Sequence, residues 1–279
     1  MLRELALRQG ELTVREFFPG RYTRWLERHR AGIPEARTRA KEPLLLAESG
    51  MEIFGRSHVI SADRAGEEIR PLILYPGIIT YVKAPSGTGK TTIVKMIMGL
   101  LRGTRMKVAL AGLTLTERTS RKFWQRHIWG RQITMVFQHA DEALNPHATV
   151  QETFHGLPSR RPITAGRISE ELAGFFDSAE DNAFLNKQVS TLSGGQKQKL
   201  NLLRGLFLDT NILIVDEPLN GLDFLNTGKV IDMLRKKQSA GKAILLISHN
   251  EEIFDAIVPE EDIFYLHSRP ASYPQSEIT

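Results

Sequence analysis

The chain has 279 residues, 41% hydrophobic and 25% charged, enough to bury a sizeable core in one large domain or in one domain with an appendage. It holds no cysteine, which excludes disulfides, thiolate zinc sites and cysteine nucleophiles, and no apolar run approaches the ~18 residues of a membrane-spanning helix. The formal net charge of +5 lies mostly in residues 1–42, where ten Lys/Arg face six Asp/Glu; the nearly neutral remainder argues against a nucleic-acid stripe along the body, and no nucleic-acid partner is expected.

The opening MLRELALRQGEL is charged where a signal peptide would be apolar, so none is expected. Breaks at Pro19-Gly20 and at Gly32-Ile33-Pro34 leave a piece with Tyr22, Trp25 and Leu26 on one helical face, which predicts a basic helical extension over 1–42 ahead of a domain over 43–279. From residue 43 onward, apolar runs of strand length alternate with helical patterns, the habit of an α/β fold with a mainly parallel sheet.

Four of those runs end in polar devices. IITYV (78–82) leads into APSGTGKTT, ITMVF (133–137) ends at Gln138, ILIV (212–215) at Asp216-Glu217, and AILLIS (243–248) at His249. Nearly unbroken apolar strands imply burial on both faces, and open parallel sheets bind ligands beyond the carboxyl ends of their strands, so four such ends point to one site. Between Gln138 and Leu192 the pattern turns helical, with Ile168, Leu172, Phe175 and Phe176 on one face; this predicts a helical subdomain over about 139–195 inserted between two core strands.

Residues 84–91 match the phosphate-binding loop G-x-x-x-x-G-K-[ST], except that Ala84 replaces the first glycine. The backbone N–H groups of such a loop wrap phosphates, which makes Ser86, Gly87, Thr88, Gly89 and the following Thr92 candidate ligands. Lys90 reaches the β and γ oxygens and Thr91 offers a hydroxyl to Mg²⁺. Asp216 follows a strand, where a carboxylate holds the magnesium of a phosphate loop; Glu217 is placed to orient and polarise the attacking water. Two adjacent acids alone would be an ordinary strand exit, and the phosphate loop reverses that weighting. LSGGQ (192–196) is a second anion cradle: Ser193 is a good N-cap, and Gly194 and Gly195 let a ligand approach the free N–H groups of a helix start.

The order APSGTGKTT, Gln138, LSGGQ, ILIVDEP, NGLD (220–223), His249 resembles the ATP-binding cassette (ABC) family of ATPases over roughly residues 43–265, with LSGGQ the element that separates this family from other phosphate-loop ATPases. The resemblance implies a P-loop NTPase core that hydrolyses ATP with Mg²⁺. It assigns Gln138 to magnesium sensing and contact with a transmembrane partner, Asp223 to the loop linking the two sites of a dimer, and His249 to the γ-phosphate. In this family ATP is sandwiched between two subunits, so Ser193, Gly194, Gly195 and Gln196 are implied to serve a partner's nucleotide. Phe54 lies where the family places an aromatic that stacks on adenine, and Asn220 departs from the small residue usual there. FQHADEALNP (137–146) resembles the peptide and nickel importer branch. The implied function is the ATP-hydrolysing subunit of an ABC transporter, with a second ABC subunit, permease partners and a cytoplasmic, membrane-peripheral location. The alternative is a soluble ABC ATPase in a cytosolic complex.

Overall fold

The computed structural model describes residues 42–271, apart from 86, 160, 174–175 and 177–181. The expected helical extension falls outside this set but for Glu42, and so do Ser86 and Phe175. In chain order the principal elements are β1 (Leu45–Ala47), β2 (Met51–Ile53), β3 (Arg56–Ser61), β4 (Leu72–Leu74), β5 (Ile79–Lys83), α1 (Lys90–Ile97), β6 (Lys107–Leu110), β7 (Leu113–Thr116), β8 (Ile133–Val136), α2 (Ala165–Ala173), α3 (Gly194–Leu206), β9 (Ile212–Asp216), α4 (Phe224–Ser239), β10 (Ala243–Ser248) and β11 (Ile263–Pro270).

A seven-stranded sheet runs β2-β3-β11-β5-β10-β9-β8. It is parallel from β11 to β8 and turns antiparallel at β11-β3-β2. Every residue of β5, β9 and β10 is buried, as unbroken apolar runs require of strands covered on both faces. The pleat sorts their side chains by alternation. Leu213, Val215, Ile244 and Leu246 join a core with Leu200, Leu203 and Leu206 of α3 and Val230, Ile231 and Leu234 of α4. Ile212, Ile214, Leu245 and Ile247 enter a second core with Ile93, Val94, Met96 and Ile97 of α1. Each fully buried Leu or Ile contributes ~1.5–3 kcal/mol from apolar burial.

That second core is closed by a four-stranded antiparallel sheet, β4-β1-β6-β7, which the sequence reading did not separate from the parallel one. The strands of β1 (LLA) and β4 (LIL) have three residues each, too few to display a period. The helical segment between β8 and β9 is present: Ile168, Leu172 and Phe176 are buried together in the first core, on and just beyond α2. Helix α3 lies close on β8, because a Cβ added at Gly205 would meet Val136 Cγ2 at 2.5 Å.

Register then sets the site. Ser248 pairs with Lys83 and Ile247 with Asp216, so β5, β10 and β9 end at one level with β10 in the middle.

Candidate active site

At the end of β5 the chain enters the glycine-rich loop. Ala84 is buried and does not adopt a left-handed backbone, so alanine is accommodated at the first position of the motif. The left-handed positions are Gly87 (φ 80°) and Gly89 (φ 91°), where only glycine is comfortable. Gly89 is also a close approach: a Cβ there would stand 2.4 Å from Cε1 of His58, a buried side chain of β3. Burial, then the nearby Arg56 charge, holds His58 below its ordinary pKa and keeps it neutral under the loop. Lys90, the first residue of α1, bends back so that Nζ donates to the carbonyls of Ala84 (2.9 Å) and Pro85 (3.2 Å), and it stands 3.9 Å from Glu217 Oε1. Thr88 Oγ1 donates to the Pro85 carbonyl at 2.7 Å, and Thr92 is half-buried one residue along α1.

Thr91 Oγ1 donates to Asp216 Oδ2 at 2.7 Å. Asp216 has no exposed surface, and its Oδ1 has no hydrogen-bond partner. Burial pushes this carboxyl above the usual range, opposed by the Thr91 hydroxyl and reinforced by the charge of Glu217. A hydroxyl beside an unpartnered carboxylate oxygen is a hard-oxygen donor set that suits Mg²⁺, an ion usually bound through one or two carboxylates, waters and substrate phosphates. Among the described residues no cluster of three His, Asp or Glu forms a metal cage of its own.

Glu217 takes φ 49°, costly for a residue with a side chain, and this turn folds its carboxylate back toward the end of β10. Oε1 accepts from the backbone N–H of His249 (3.0 Å) and lies 2.7 Å from His249 Nδ1, while Oε2 accepts from Ser248 Oγ (2.6 Å). The structure thus places His249 on Glu217. Ser248 and His58 carried no motif and were missed; only their positions at the end of β10 and beneath the loop distinguish them.

The LSGGQ segment forms a capped helix start. Ser193 caps α3, accepting from Gln196 N while Gln196 Oε1 accepts from Ser193 N at 2.9 Å, a reciprocal capping box. Ser193 and Gly194 are exposed, Gly195 and Gln196 half-buried. Among the described residues no hydrogen bond joins them to residues 84–92, so this cradle and the phosphate loop are separate devices. Asp223 caps α4 by accepting from Asn226 N at 2.8 Å, and Asn220 is exposed. Gln138 is half-buried just past β8. Phe54 is 80% exposed at φ 54°, in a two-residue turn with Gly55 (φ 70°) between β2 and β3.

A family profile described as ABC transporter matches residues 71–220, spanning the phosphate loop, the LSGGQ cap and the acidic pair. The chain belongs to this family of ATP-binding cassettes. It is 27% identical over 195 residues to the nickel import ATP-binding protein LarO of Lactiplantibacillus plantarum, covering 70% of this chain and 80% of the relative. It is 33% identical over 184 residues to the nickel import ATP-binding protein NikE of Escherichia coli K12, covering 64% and 67%. The fold is that of a nucleotide-free cassette from an ABC transporter (TM-score 0.58, 17% identity, 78% of this chain and 85% of that one). It is equally that of a dimeric cassette bound to ADP and Pi in a post-hydrolysis state (TM-score 0.58, 21% identity, 82% and 100%). The cassette is an ATPase, the nucleotide-binding subunit of an ABC transporter. No helix among its described residues is long and apolar enough to cross a membrane.

Proposed function

We propose that the cassette hydrolyses Mg²⁺-ATP in a site shared with a second ABC subunit and thereby powers an importer whose cargo is nickel. The observation that carries the catalytic part is the Thr91–Asp216 pair with its unpartnered Oδ1, set between a phosphate loop and a Glu217–His249 pair. Residues 86–92 hold the phosphates by backbone N–H groups, and Lys90 trades its carbonyl partners for phosphate oxygens, a stronger charge-assisted bond. Thr91 and Asp216 would hold the metal, which when bound would supply charge neutralisation for the phosphates. Glu217 orients the attacking water and accepts its proton. His249, whose side chain is 58% exposed, turns from Glu217 to the γ-phosphate. Phe54 stacks on adenine. Ser193 to Gln196 meet the nucleotide of the other subunit, linked by Asp223.

Support for the importer reading is the pair of relatives named as nickel import ATP-binding proteins. The membrane partner docks near Gln138 and the helical segment behind it, at the cytoplasmic face. Co-purification of the cassette with the membrane proteins encoded beside it, followed by reconstitution in vesicles, tests this: ATP-dependent ⁶³Ni²⁺ accumulation is expected. Stimulated ATPase activity without nickel uptake would remove the cargo, and failure to isolate any membrane protein would remove the transporter assignment.

A further inference from the structure

Glu217 has three side-chain or backbone donors around it, and they differ in what they are free to do. His249 contributes two of them, and its ring is exposed. Ser248 contributes the third from a side chain that is only 1% exposed. A hydroxyl has one proton and can ordinarily rotate it among acceptors. Here the rotor is pinned. Asn250 N donates to Ser248 Oγ at 3.1 Å, which takes a lone pair, and the 2.6 Å contact to Glu217 Oε2 takes the proton. The backbone under it is held as well, since the hydroxyl of Tyr81 donates to the Ser248 carbonyl at 3.0 Å. Tyr81 has no exposed surface, and burial, aided by the neighbouring acids, keeps its phenol protonated far above its ordinary range. The middle strand β10 thus presents a fixed O–H to Glu217 Oε2, the oxygen that the His249 ring does not take and that His249 reaches only through its backbone N–H, at 3.3 Å.

We propose that Ser248 is a positioning residue for ATP hydrolysis: its hydroxyl fixes the Glu217 carboxylate in the water-orienting geometry when the His249 ring leaves for the γ-phosphate. The inference rests on the role given to Glu217 above. It predicts a defect in turnover with none in nucleotide capture, because Ser248 touches neither the loop ligands nor the Thr91–Asp216 pair.

The test compares Ser248→Ala, Ser248→Thr and Ser248→Val with wild type and with Glu217→Gln. Ser248→Ala is expected to lower kcat by about tenfold or more, as loss of a hydrogen bond to a charged group implies, with KM for ATP within about twofold. In size-exclusion chromatography with Mg²⁺-ATP, Ser248→Ala should accumulate an ATP-bound dimer that wild type hydrolyses away. Ser248→Thr restores the hydroxyl and should recover most of kcat, while the equally branched Ser248→Val should not. In a Glu217→Gln background, adding Ser248→Ala should lower turnover no further. Wild-type kcat in Ser248→Ala, or equal kcat in the Thr and Val variants, overturns the proposal while Glu217→Gln remains inactive. Near-normal turnover in Glu217→Gln overturns the underlying reading instead. If Ser248→Ala loses its folded circular dichroism, the Thr and Val pair decides alone.

Discussion

Thr91 Oγ1 and Asp216 Oδ2 stand 2.7 Å apart although 125 positions separate them, and the bond leaves Asp216 Oδ1 buried with nothing to accept from. A carboxylate so placed disfavours its own ionised form. Its folded pKa is raised, so the folded state binds the proton more readily than the unfolded one, and stability of the nucleotide-free protein falls as pH climbs from the ordinary carboxylate range through the raised value. Asp216→Asn is therefore expected to stabilise the nucleotide-free protein at neutral pH by ~1–2 kcal/mol. The same variant should lose the rise in Tm that Mg²⁺-ATP gives wild type. Thermal denaturation with and without Mg²⁺-ATP checks both halves, and a destabilised nucleotide-free variant would show that Asp216 serves the fold and not a metal.

Glu217→Gln keeps the shape of the side chain and an acceptor for Ser248, but not the base. Turnover should fall by about the 10²–10⁴-fold associated with general acid–base groups while ATP binding survives. Steady-state hydrolysis and equilibrium binding, measured on one preparation, decide this. Turnover close to wild type removes Glu217 from the mechanism.

The two cradles can be told apart by dilution. Lys90→Ala should weaken ATP binding even by dilute monomer, because a charge contact to the phosphates is lost within the same chain. Ser193→Arg should leave monomer binding nearly intact and block ATP-driven dimerisation, since the exposed helix start at Ser193 would be filled. In a homodimer, mixing the variants rebuilds one sound site and some dimerisation returns. Loss of monomer binding in Ser193→Arg equal to that in Lys90→Ala would mean that the second cradle serves the chain's own nucleotide.

Phe54 sits 80% exposed at a positive φ, where glycine would be easier. Phe54→Gly should then leave Tm unchanged or raise stability by ~0.4–1 kcal/mol. If the ring stacks on adenine, the same change weakens ATP binding by about 3–10-fold, and Phe54→Trp preserves it. Calorimetric ATP titration of the three proteins separates the effects; unchanged affinity in Phe54→Gly assigns the ring elsewhere.

Much of the site could be read before any coordinates because its parts are local. Unbroken apolar runs marked β5, β9 and β10, and the Gly87–Thr91 stretch carries its own left-handed glycines and lysine. Ser193 ahead of two glycines is an N-cap visible in the letters alone, while the reciprocal bond to Gln196 came with the structure. The four-stranded sheet was not visible, because its pairings join residues as distant as Leu46 and Ala109 through strands of three or four residues, and such register is chosen by shared burial across the core. Strand order lay equally outside the sequence. Placing β10 between β5 and β9 is what brings Ser248 and His249 onto Glu217, and placing β3 beyond β11 on the other side of β5 sets His58 against Gly89. Which chemical groups the cassette owns is legible in the letters, since periodicity and motif spacing are properties of neighbouring residues. Which of those groups touch follows from the packed sheet, since contact across it depends on how whole strands bury their two faces together.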